Sequence, residues 1–227
     1  MIRFDVITIF PQMLSSYVNE SLIARAQKKK LINIRLHNLR DFAFDARGTV
    51  DDRPFGGGLG MVLKIEPIYK AVQSLKPKTK NQKPRKTKVI LFTPRGKEFT
   101  QKVAQQLSKL DQVIFICGRY EGVDERVAKN IADIELSIGN YDLMGGELPA
   151  MVVMETVARL VPGVLGKEAL LKERITKTGG FIEYAQYTRP EVFSPKKGLR
   201  WKVPPVLLSG DHKKIQAWKA DHGKVIE

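Results

Sequence analysis

Val113-Ile114-Phe115-Ile116-Cys117-Gly118-Arg119-Tyr120-Glu121-Gly122 is the segment from which the architecture can be read. An unbroken apolar run enters a glycine turn. A short run of this kind suits a strand buried on both faces, and such strands belong to parallel sheets. On either side of it, Val89–Thr93 repeats the pattern, and Ile134–Ile138 is a third strand-like segment. Each is followed by a turn and then a helical pattern, over 98–109, 124–132 and 147–161. Strand–helix alternation predicts an α/β domain with a parallel sheet. Residues 2–10 read as a strand broken at Pro11, 12–28 as helical, 31–36 as an alternating strand and 65–75 as a helix. Between them, 41–60 form a polar, glycine-rich loop. Residues 162–180 look like a linker flanked by Pro and Gly, and 181–227 like a smaller basic unit with a final helix near 211–221. The expected organisation is therefore an α/β domain over 1–161, a linker over 162–180 and a small C-terminal domain over 181–227.

Composition narrows the function classes. The chain has 227 residues, 43% hydrophobic and 28% charged, enough apolar material for a buried core and against whole-chain disorder. Cys117 is the sole cysteine, so neither a disulfide scaffold nor a cysteine zinc site can be built. No apolar run approaches the ~18 residues of a membrane span, and Asp5 interrupts the N-terminal apolar stretch, so no signal peptide is read there. A cytoplasmic protein with no membrane partner is expected. The net charge is +15. Residues 76–88 hold seven bases and no acid, and 167–227 hold thirteen bases against seven acids. Clustered positive charge is the footprint of a polyanion such as nucleic acid, although a lysine-rich loop can also be only a solubilising surface.

Local signatures exclude a P-loop, since no G-x-x-x-x-G-K-[ST] occurs, and the glycines at 56–60 do not fit G-x-G-x-x-G. His37, His212 and His222 are scattered. What remains is a succession of three turns at strand ends: Thr93-Pro94-Arg95-Gly96, Cys117 to Gly122, and Ser137 to Glu147. Ligands of open α/β sheets bind outside the carboxyl ends of the strands. Glycines there let main chain approach a ligand closely. A site built from main chain suits an adenine ring and an amino-acid-like tail; taken singly, each turn is weak evidence of one.

Longer motifs go further. Val50-Asp51-Asp52-Arg53-Pro54-Phe55-Gly56-Gly57-Gly58, the 117–127 stretch, Ser137-Ile138-Gly139, Gly145-Gly146-Glu147-Leu148-Pro149-Ala150, Pro162-Gly163-Val164-Leu165-Gly166, Tyr187-Thr188-Arg189-Pro190-Glu191-Val192 and Val203 to His212 resemble, in order, the bacterial TrmD family of tRNA (guanine-N1)-methyltransferases. The resemblance implies a SPOUT-class parallel sheet flanked by helices with a C-terminal trefoil knot, plus a small, mainly helical C-terminal domain that grips tRNA. It implies S-adenosylmethionine as methyl donor, held by Leu91, Thr93, Pro94, Gly96, Gly118, Ser137, Ile138, Gly139, Asn140, Tyr141, Asp142, Leu143, Gly145, Gly146 and Pro149. The acceptor would be N1 of guanosine 37, just 3′ of the anticodon, contacted by Asp52, Arg53, Glu183 and Arg189. The family works as a homodimer with the active site at the subunit interface and Mg²⁺ assisting.

The chemistry asks for specific groups. N1 of guanine carries a proton, so a carboxylate must accept it, and charge moving to O6 needs a cation or donor. By resemblance Arg159 stabilises O6; the simpler reading is an i,i+4 pair with Glu155. Glu121 matches an active-site acid, or else is a charge favourably placed before the helix near Asp124. Aligned on Leu165-Gly166, Arg174 falls where the family carries its base aspartate, and the linker is about one residue longer. The expected base is then the neighbouring Glu173, or else Glu173 and Arg174 are solvated linker charges. The chain also ends at Glu227, without the arginine-rich tail that follows Trp218 in the pattern. The alternatives are a tRNA- or rRNA-binding protein of the same fold with impaired or lost catalysis, or a SPOUT enzyme acting on another RNA.

Overall fold

The computed structural model describes residues 1–76, 86–166, 175–176 and 178–226. The chain divides into two units, Met1–Leu170 and Leu171–Glu227. In the first, the chain order is β1 (Ile2–Thr8), α1 (Gln12–Val18), α2 (Ser21–Lys28), β2 (Ile32–Asn38), a 3-10 turn at Leu39–Phe42, β3 (Asp51–Asp52), β4 (Val62–Leu63), α3 (Ile65–Leu75), β5 (Thr87–Glu98), α4 (Gln101–Leu107), β6 (Gln112–Ile116), α5 (Glu125–Asn130), β7 (Ile134–Ser137) and α6 (Glu147–Ala158). Five strands form one parallel sheet in the order β2-β1-β6-β5-β7.

Period-two alternation in these strands feeds two cores. Phe4, Val6, Ile90, Phe92, Val113 and Phe115 point to one face, where they share a cluster with residues of α1, α2, α4 and α6. Ile7, Val89, Leu91, Ile114 and Ile116 point to the other, with α3 and α5. Phe115 sits between two rings, stacked at 6.0 Å on Phe4 and tilted at 5.4 Å to Phe92. Both faces are covered, which is why the inner strands β5 and β6 read as continuous apolar runs.

Two departures from expectation have local causes. The helix expected over 12–28 is two helices. Asn19 turns its side-chain amide back to the Ser15 carbonyl at 2.8 Å, and Ser21 starts α2 with φ 49°. Asn and Ser compete with the helix for backbone hydrogen bonds. The turn expected at 93–96 is an excursion within β5. The strand pairs with β7 through Phe92↔Leu136, leaves, and pairs again through Lys97↔Leu136 and Glu98↔Ser137. Gly96 permits the return, because a Cβ there would lie 2.5 Å from the Leu136 amide nitrogen.

The second unit comprises β8 (Phe181–Tyr184), β9 (Val192–Lys196), β10 (Leu199–Lys202), α7 (Pro205–Leu208), α8 (His212–Asp221) and β11 (Gly223–Ile226). The expectation of a mainly helical unit is corrected, since β8 pairs with β11 and β9 with β10, both antiparallel. Aromatic and β-branched residues favour these ladders, and Phe193 faces Trp201 across the hairpin at 5.7 Å. Asp211 caps α8 by accepting from the Lys213 and Lys214 amides. Neither helix carries a fully buried residue.

Candidate active site

Three segments converge at the carboxyl ends of β5, β6 and β7. The loop after β6 begins with Cys117 and Gly118, whose carbonyl accepts from the Gly146 amide at 3.0 Å, and Arg119 pairs with Gly145 in an isolated antiparallel bridge. The other edge of the same loop is bonded to β4 and its approach. The Glu121 amide donates to Met61 and the Leu63 amide to Gly122, each at 3.0 Å. Gly139 has φ +154°, and a Cβ there would strike the Tyr141 ring. The Ser137 hydroxyl closes that turn by donating to the Gly139 carbonyl at 2.9 Å.

Between these loops lies a cavity of about 370 Å³, within the range of small-molecule sites. Its wall includes Leu91, Thr93, Pro94, Gly118, Ser137, Ile138, Gly139, Tyr141, Asp142, Leu143, Gly145, Gly146 and Pro149. Gly96 and Asn140 are not on that wall, Gly96 being packed against β7 instead. Glu121 is on the wall, its side chain against Gly60, where a Cβ would lie 2.6 Å from Glu121 Cγ. Asp52 and Arg53 lie beside this loop, because Asp52 pairs with Val62 and the adjoining Met61 carbonyl holds the Glu121 amide.

Sequence reasoning passed over Arg95, Arg119, Tyr120 and Glu125, all on the wall. The signal was present for all four, since Arg95 stands in the Thr93–Gly96 turn and Arg119, Tyr120 and Glu125 in the 117–127 stretch. Arg95 is ion-paired to Glu125 at 2.6 Å and Glu135 at 3.0 Å, and hydrogen bonds to both acids push its guanidinium further up. Arg119 is paired to Glu147 at 2.9 Å. Asp124 caps α5 and holds Arg126 through both oxygens, and the Arg126 hydrogen bond keeps its carboxyl below the ordinary range. Burial pushes the Cys117 thiol well up, which removes it as a nucleophile.

Arg159 lies elsewhere. It is exposed at the C-terminal end of α6, about 18 Å along the axis from the Glu147 end at 1.5 Å per residue. No ion pair joins it to Glu155; only its amide donates to the Glu155 carbonyl, at 3.0 Å. Glu183 is in β8 opposite Lys224, and Arg189 is exposed in the second unit. Glu173 and Arg174 lie outside the described residues, as does most of the basic stretch 76–88. The described residues assemble no group of three or more His, Cys, Asp or Glu that could hold a metal ion. No helix among them is long and apolar enough to cross a membrane.

The family described as tRNA (Guanine-1)-methyltransferase TrmD matches residues 2–225. The chain is 51% identical over 219 residues to the tRNA (guanine-N(1)-)-methyltransferase of Dictyoglomus turgidum, covering 96% of this chain and 84% of that protein. To the protein of the same name from Geobacter sp. (strain M21) it is 47% identical over 217 residues, with 96% and 83% covered. To that of Staphylococcus carnosus it is 45% identical over 217 residues, with 96% and 84% covered.

Proposed function

Because the chain belongs to the tRNA (guanine-1)-methyltransferase TrmD family, we propose that it methylates tRNA at N1 of guanosine 37, taking the methyl from S-adenosylmethionine. The observation that carries the donor is the cavity at the strand ends, walled by glycine main chain. Glycines at 139, 145 and 146 let these loops pack tightly where a Cβ would strike Tyr141, Arg119 or Cys117. Arg95 and Arg119 are already neutralised by acids, while Glu121 and Asp142 are in no ion pair among the described residues. A wall with spare negative charge suits a donor that carries a sulfonium cation.

When bound, S-adenosylmethionine supplies an electrophilic methyl group. The chain must hold it in line with N1, a positioning task for the three loops. Glu121 offers a carboxylate to the donor edge of guanine. Glu173 accepts the N1 proton; Arg174 stays protonated and cannot. Arg159 stabilises charge at O6. Its distance along α6 from this cavity supports a role in the cavity of a second copy, in a homodimer with composite sites. Leu148 and Val152, 51% and 44% exposed on α6, give that copy an apolar surface. The trefoil knot and the tRNA-gripping role of the second unit belong to the same proposal, as do the contacts of Asp52, Arg53, Glu183 and Arg189 with RNA.

The test is transfer of labelled methyl from S-adenosylmethionine to an unmodified tRNA transcript. The expected result is label in a transcript with G 3′ of the anticodon, a reverse-transcription stop there, and no label when that G is replaced by A. Absence of transfer to the G transcript overturns the reading.

A further inference from the structure

Glu147 is a buried carboxylate, 1% exposed, with no part in the methyl transfer proposed for this chain. As the first residue of α6 it meets the positive end of the helix dipole, but it is also bound on both oxygens. Thr8 Oγ1 donates to Oε1 at 2.5 Å, and Arg119 Nε donates to Oε2 at 2.9 Å. Arg119 also donates to the Met144 carbonyl at 3.2 Å and lies over the Phe10 ring at 5.1 Å. The side chain thereby ties the loop after β6 to the loop after β7 and to the end of β1.

The residue after Arg119 needs holding. Tyr120 has φ 60° and its ring is half exposed. A bulky residue keeps the left-handed conformation only where its surroundings impose it, at a cost of roughly 1–3 kcal/mol. Tyr120 and Glu121 both line the cavity.

We propose that Glu147 is a positioning residue: through Arg119 it locks residues 119–122 in the conformation that walls the donor cavity. This role rests on the cavity being the S-adenosylmethionine site. Glu147 touches no ligand; its loss is felt as a loosened loop and weaker donor binding.

The test is a double-mutant cycle on the full chain, with S-adenosylhomocysteine as the calorimetric probe and backbone hydrogen exchange as a second readout. Glu147→Gln and Arg119→Lys each weaken binding about tenfold or more, the effect expected of losing a buried charge-assisted hydrogen bond. The double variant binds no more than about threefold more weakly than the poorer single, because both remove one link. Amide exchange accelerates at 120–122 while β6 and β7 keep wild-type protection. Should Glu147→Gln not fold, Arg119→Lys with exchange carries the test, since Arg119 reaches solvent. Wild-type affinity in the variants, losses that multiply in the double, or exchange that rises evenly across the sheet each overturn the proposal. A wild type that binds no S-adenosylhomocysteine overturns the donor reading, and this role with it.

Discussion

Gly118 and Gly146 lie on either side of one hydrogen bond, yet a methyl group at each meets different surroundings. At Gly118 it would touch Val123 Cγ1 at 3.6 Å and Gly122 Cα at 3.8 Å, ordinary contacts. At Gly146 it would lie 2.7 Å from the Cys117 Cα, which is main chain and cannot step aside. Gly118→Ala is therefore expected to unfold within about 0.5 kcal/mol of wild type while losing affinity for S-adenosylhomocysteine, because Gly118 faces the cavity. Gly146→Ala is expected to lose about 1–3 kcal/mol of stability; denaturant melts and calorimetry on the two variants separate these outcomes. A second residue-scale expectation concerns Asp5. Burial alone would push its carboxyl up, but hydrogen bonds from His37 and Gln112 and the charge of Arg3 outweigh that and hold it below its ordinary value of 3.8. A depressed folded-state value stabilises above the unfolded value, and the contribution is lost as pH falls below 3.8 through the lower folded one. Denaturant midpoints should drop between pH 5 and about 2 in wild type, and Asp5→Asn should flatten that part of the profile.

At the scale of elements, the β9–β10 hairpin carries Lys196, Lys197, Arg200 and Lys202, all exposed and none in an ion pair among the described residues. Replacing the four by Ser is expected to weaken tRNA binding and to flatten the slope of log K against log salt by about 0.7–0.9 for each phosphate no longer neutralised; unchanged slopes in filter binding would show a bystander surface. This hairpin also marks the limit of what the sequence makes legible. The inner strands β5 and β6 are readable because burial on both faces writes an apolar run into each, and α3 is readable because its apolar stripe runs from Ile65 to Leu75 with Pro67 confined to the first turn, where it is tolerated. The small unit lacks such runs. Its ladders rest on exposed pairs such as Phe193 and Trp201, which composition does not distinguish from a helical surface. At the site, glycines after strands announce main-chain walls, so most of the cavity lining could be anticipated. The Thr8–Glu147–Arg119 chain could not, because it joins residues 139 and 28 positions apart and no local spacing encodes it.

For the whole molecule, the separation of Arg159 from the cavity along α6 makes a prediction about mixtures. Arg159→Ala removes the cation but leaves the cavity; Gly139→Trp fills the cavity but leaves the cation. Each alone should be nearly inactive, and subunits exchanged between them should form hybrids with one intact site. Methyl transfer recovering on mixing supports composite sites, and no recovery despite exchange argues for a site within one chain. The excursion of β5 constrains the molecule in another way. Surface loops ordinarily absorb insertions. This one leaves β7 after Phe92 and rejoins it at Lys97, so both its ends are pinned to one partner and the residues between act as a ruler. Adding or deleting one would slide Lys97 and Glu98 along β7 and turn them to the opposite face. Evolution and engineering can therefore rewrite the letters of this segment, but its count is fixed by the sheet on which it is measured.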